Sequence, residues 1–83
     1  MKLWLLRPKG YENDQEPEPW KPWYDKAFGF VLRAQNISQA RRMASMNCGD
    51  EGEQAWLNAR WSTCEELTSD GEPGFIMFDI HSA

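Results

Sequence analysis

The chain is short of the residues that most protein chemistry requires. It has two cysteines, Cys48 and Cys64, and a single histidine, His81, in 83 residues. A structural zinc site needs four ligands at close spacings such as Cys-x-x-Cys, and these three stand singly. Small secreted scaffolds carry four, six or eight cysteines, so two point to buried, reduced thiols that behave as small hydrophobes. His81 lies close to the C-terminus with nothing to orient it as a general base. A Cys64–His81 pair lacks a third orienting group and an oxyanion hole. Neither Gly49 nor Gly52 is followed by the Lys-Ser or Lys-Thr of a phosphate-binding loop. The acid pairs Asp50/Glu51 and Glu65/Glu66 are adjacent, and adjacent residues on a strand face opposite sides. The expectation is a chain that is not an enzyme and holds no cofactor or metal.

Long apolar runs are missing as well. Leu3 to Leu6 is stopped by Arg7, too short for a secretory leader and far below the roughly 20 residues of a membrane span. A reducing cytoplasm is the compartment this composition suggests.

What the chain has in quantity is aromatic rings and acid. Five Trp, four Phe and two Tyr can each bury on the order of 150–250 Å². That suffices for one core, and a chain this short holds a single domain. The net charge is −4 but unevenly spread. From Met1 to Gly49 eight basic residues face five acidic ones, a balance of +3; from Asp50 to Ala83 eight acids face Arg60 alone, a balance of −7. Such a field steers encounters towards basic surfaces. It also disfavours direct nucleic-acid binding, although Arg41, Arg42, Lys21 and Lys26 are candidate phosphate contacts.

Along the chain, Leu3 to Leu6 reads as a strand that is apolar on both faces and ended by Arg7-Pro8. Lys9 to Pro19 is an acidic, proline-rich connection expected to be a mobile loop. Phe28 to Ala34 alternates as a strand, with Phe28, Phe30, Leu32 and Ala34 on one face. Ile37 to Cys48 is the one strong helix, capped by Asn36 or Ser38 and ended by Gly49 in a left-handed C-cap. Its inward stripe is Ile37, Ala40, Met43, Ala44 and Cys48, with Arg41, Arg42 and Ser45 outward. Gln54 to Arg60 reads as a short helix burying Trp56 and Leu57. Ser62 to Leu67 fits either a helix start, with Ser62 and Glu65 as a capping box, or a strand. The Ser69–Gly74 turn favours the strand, with Phe75 to Ile80 as its return. The expected class is therefore α+β: a small antiparallel sheet in β-β-α-β-β order with one main helix on one face.

Two sets of side chains are candidates for contacting a partner. Asp50, Glu51, Glu53, Glu65, Glu66, Asp70 and Glu72 form the first, since rows of carboxylates can imitate the phosphates of nucleic acid in a basic groove. Trp20, Trp23 and Tyr24 form the second, in a proline-stiffened segment, because Trp and Tyr dominate interface hot spots. Exposed strand edges add a route to a second copy, hence a homodimer.

The run Pro22-Trp23-Tyr24-Asp25-Lys26-Ala27-Phe28-Gly29-Phe30 carries a resemblance, together with Met1 to Pro8, Ala40-Arg41, Gly49 to Gly52, Ser62 to Cys64 and Gly71 to Gly74. Across most of its length the chain resembles small proteins of phages and prophages. In size and charge it is similar to anti-CRISPR and other anti-defence inhibitors. That resemblance implies a host defence complex as partner, blocked at its nucleic-acid or partner-binding surface, and it assigns no site residues.

Overall fold

The computed structural model describes residues 1–9, 19–21 and 24–77. Five elements follow one another: β1 (Lys2–Pro8), β2 (Phe30–Ala34), α1 (Ile37–Ser45), α2 (Glu53–Leu57) and β3 (Ser62–Leu67). The strands make one antiparallel sheet in the order β2-β1-β3. The class is α+β, with a three-stranded sheet and one main helix.

β1 takes the centre because it alone is apolar on both faces. Trp4 and Leu6 point to the helices, opposite Leu32 and Phe30 of β2. Leu5 points the other way, yet it is also fully buried. On the helix side the core is built from large rings against small residues. Trp4, Leu6, Trp20 and Trp56 pack on Ala34, Ala40, Ala44 and Ala55, and the alanines let α1 lie close on the sheet. Trp20 and Phe30 meet the Trp56 ring edge-on, at centroid distances of 5.0 and 4.9 Å, the arrangement that aromatic quadrupoles favour.

Helix α1 starts as the sequence suggests. The Asn36 side chain accepts from the Gln39 amide at 2.9 Å, and the Gln39 side chain reaches back to the Gln35 amide. Its inward face is narrower than the expected stripe. Ala40 and Ala44 are buried and Cys48 half-buried, but Ile37 and Met43 are exposed while Ser45 is buried. The helix stops at Ser45 with Met46 as its right-handed cap, so Gly49 is not a left-handed C-cap. Gly49 is needed for another reason: a Cβ there would run into the Asp25 carbonyl, which accepts from the Asp50 amide at 2.8 Å. A glycine that does take a positive φ is Gly52, at +86°, immediately before α2. In α2, Trp56 is buried as expected and Leu57 is not.

The C-terminal half of the expected hairpin differs most. Ser62 to Leu67 is a strand, but residues 75–77 are not, and 78–80 lie outside the described residues. β3 instead pairs with β1, Leu3 opposite Leu67 and Pro8 opposite Ser62. Residues 75–77 cross the outer sheet face, where Arg7 Nη1 donates to the Ile76 carbonyl at 3.4 Å. The Met77 side chain closes over Gly29. The strap thereby covers Leu5, and a hollow of about 220 Å³ remains between it and the sheet. The acidic connection expected between Lys9 and Pro19 lies outside the described residues, apart from those two ends.

Because Trp56 meets α1, β2 and the Trp20 segment together, Trp56→Ala is expected to cost about 3–5 kcal/mol. That is a large share of a small domain's stability, read as a leftward shift of the urea unfolding midpoint.

Candidate interaction surfaces

The acids expected to form one surface are sorted by the fold into three kinds. Glu51 is buried and belongs to the interior. Its Oε1 accepts from the Gly49 amide at 2.9 Å, its Oε2 from Trp56 Nε1 at 2.5 Å, and both from the Ala27 amide at 3.3 Å. A buried carboxylate without donors is prohibitively costly; with three, it joins the α1–α2 turn to the chain entering β2. The expectation of Glu51 as a partner contact is thus corrected.

Glu65 and Glu66 point to opposite faces of β3, and each is paired with a base on β1. Arg7 Nη2 lies 2.5 Å from Glu65 Oε1, and Lys2 Nζ 3.5 Å from Glu66 Oε1. Both pairs are exposed, so each is worth at most about 1 kcal/mol, but they halve the field those acids present. Asp50 and Glu53 remain exposed at the α1–α2 turn, and Asp70 and Glu72 beyond β3. The arrangement brings Glu65, Glu66 and Asp70 around the hollow beside Leu5, Phe75 and Ile76. Asp50 and Glu53 stand on different elements, so the seven acids do not form one row.

The tryptophan set divides too. Trp20 is only 1% exposed; its Nε1 donates to the Trp61 carbonyl at 3.0 Å. It holds the core and presents nothing to a partner. Tyr24 is exposed as expected, and Trp23 lies outside the described residues.

Sequence reasoning missed the outer sheet face. Phe75, Ile76 and Met77 are 83%, 56% and 42% exposed, with Val31 and Leu3 exposed on the same face of β2 and β1. The run looked like a buried strand because its composition is that of one. The signal against that was Leu3-Trp4-Leu5-Leu6: a strand apolar on both faces must have its second face covered by something.

Among the described residues no three His, Cys, Asp or Glu side chains gather as metal ligands, and no helix is long and apolar enough to cross a membrane. Both cysteines are free thiols, half-buried. Burial pushes the Cys64 thiol up, with the Arg41 guanidinium pulling it partly back. Burial and then the Glu51 charge push Cys48 up. Both are held protonated at neutral pH, the unreactive form.

Two predictions follow from these contacts. Since both Glu51 oxygens accept, Glu51→Gln must turn its amide NH₂ against a donor, and a loss of about 1–3 kcal/mol is expected from denaturant titration. Alkylation of the thiols by iodoacetamide should be slower in the folded chain than in urea at the same pH. The gap should close as pH rises past the raised folded-state values, because the thiolate is the reacting species.

No protein family, curated protein or solved structure matches the chain, and its function must be argued from these surfaces.

Proposed function

We propose that this chain acts without catalysis, by binding a protein partner through its outer sheet face, and that it works in the cytoplasm. The observation that carries the reading is the composition of that face. Large apolar side chains, Val31, Phe75, Ile76 and Met77, are exposed around a nearly covered centre at Leu5. Glu65 and Asp70 stand at the rim. Stable interfaces are built with an apolar centre and a polar rim, and an apolar patch of this kind on a small domain marks an interaction site.

The acidic rim selects a basic partner surface. The −7 balance from Asp50 onward and the resemblance to phage anti-defence inhibitors support a narrower reading. In it the partner is a host nucleic-acid-handling defence complex of the CRISPR type, and the bound chain blocks its nucleic-acid or partner-binding surface. Asp70 and Glu72, exposed beyond β3, are the acids that remain free to contact it from this side. A second reading, self-association, is favoured by β2, which forms an edge of the sheet and carries the exposed Val31.

The test is target-DNA binding by a purified CRISPR surveillance complex, titrated with the chain. Dose-dependent loss of DNA binding, weakened at high salt and abolished by Phe75→Asp with the near-ultraviolet spectrum unchanged, is the expected outcome. Full DNA binding at saturating chain removes the inhibitor reading. If the chain then sediments at twice its monomer mass, and Val31→Asp restores the monomer, self-association takes its place.

A further inference from the structure

The helix layer, on the opposite side of the sheet, carries a second surface with the reverse charge. We propose that the groove between α1 and α2 docks a partner protein's amphipathic helix that carries a carboxylate beside aliphatic side chains. This goes beyond the outer-face reading and does not depend on it.

Helical periodicity builds the groove. Residues four apart on a helix stand one above the other, so Ile37, Arg41 and Ser45 form one row of α1, and Ser38, Arg42 and Met46 the next. α2 supplies the other wall with Glu53 and Leu57, again four apart. Together they line a groove of about 490 Å³. Its apolar members are unusually open for aliphatic side chains: Ile37 is 47%, Met46 75% and Leu57 39% exposed.

The charge in the groove is uncompensated. Arg41 is half-buried, and its guanidinium donates only to neutral oxygens. Nη1 reaches the Trp56 carbonyl at 2.8 Å and Ser62 Oγ at 2.8 Å, and Nη2 the Ser62 carbonyl at 3.1 Å. These bonds fix the guanidinium in place but bring no counter-charge, whereas charges removed from water are ordinarily paired. Arg42, beside it, makes no side-chain hydrogen bond or ion pair among the described residues. Glu53 lines the same groove, and among those residues it forms no ion pair with either arginine. A fixed guanidinium next to a free one is a receptor for a carboxylate, which an arginine fork binds with two parallel hydrogen bonds. The aliphatic neighbours of that carboxylate then fill the space between Ile37, Met46 and Leu57, the mode in which amphipathic helices enter grooves.

A phosphate chain fits less well. The groove offers aliphatic side chains and, among its lining residues, no aromatic platform for bases.

The probe is a fluorescein-labelled amphipathic peptide of leucine, alanine and glutamate, titrated with the full chain and read by anisotropy. Two control peptides replace every glutamate with glutamine or with lysine. Saturable binding is expected for the glutamate peptide, weaker by about tenfold or more for glutamine, and lost for lysine. Arg42→Glu and Leu57→Asp, both at exposed positions, should each abolish it with the near-ultraviolet spectrum intact, while Phe75→Asp on the outer face leaves it unchanged. Equal binding of glutamate and lysine peptides, or full binding to Arg42→Glu, overturns the proposal. So does displacement of the peptide by a single-stranded oligonucleotide, which would make the groove a nucleic-acid site.

Discussion

The fold depends on one buried carboxylate. Glu51 collects the Gly49 amide, the Ala27 amide and the Trp56 indole. Those three donors belong to the α1–α2 turn, the approach to β2 and the centre of the core. Without it the turn loses its anchor to the sheet, and the indole on which Trp20 and Phe30 pack loses its orientation. The neighbouring backbone serves the same junction. The Asp25 carbonyl, at a left-handed residue (φ +53°), takes the Asp50 amide, and Gly49 leaves room for it. The core of this domain is small, so its large rings must be held in one orientation each. Trp4, Trp20 and Trp56 all donate their ring N–H to an acceptor fixed by the fold. Burying such rings with the polar end satisfied is what lets few residues fill a core.

Most of the helix layer and all three strands could be read in the sequence. Leu3 to Leu6, Phe28 to Ala34 and Ser62 to Leu67 have strand patterns, and Asn36 is a cap residue ahead of the helical stripe. The misreadings share a physical cause. Sequence periodicity reports which side chains are apolar, and it cannot report which apolar side chains find a neighbour. Ile37 and Met43 fit the helical stripe, yet both stay exposed, Ile37 in the open groove beside α2. Phe75 to Met77 have the composition of a strand, yet they cross the outer sheet face, where Arg7 holds the Ile76 carbonyl, and do not pair along the edge of β3. The converse error concerns Glu51. An acid among acids is normally solvated, and only the Trp five residues on, with an indole in need of an acceptor, hinted otherwise.

Burial of Glu51 and the pairing of Glu65 and Glu66 also redraw the electrostatics. The chain's formal charge is acidic, but its surfaces are not uniformly so. The outer sheet face is apolar with an acidic edge, and the groove on the helix layer holds two guanidiniums. Net charge steers approach at a distance, whereas contact chemistry is decided by which charges remain unpaired. Among the described residues these include Asp70 and Glu72 beyond β3, Asp50 and Glu53 at the α1–α2 turn, and Arg42 beside the latter.

The sheet order has a consequence for how the protein is made. β1 leaves the ribosome before the other four elements, yet it lies in the middle of the sheet, between β2 and β3. Its contact with β3 joins Leu3 to Leu67, nearly the ends of the described chain. The apolar run Leu3–Leu6 must therefore wait, exposed, until Leu67 has been synthesised. Long-range pairing of that kind is slow and leaves nascent apolar segments open to wrong partners. Until β3 arrives, Lys2 and Arg7 are the charges that β1 itself carries against such contacts.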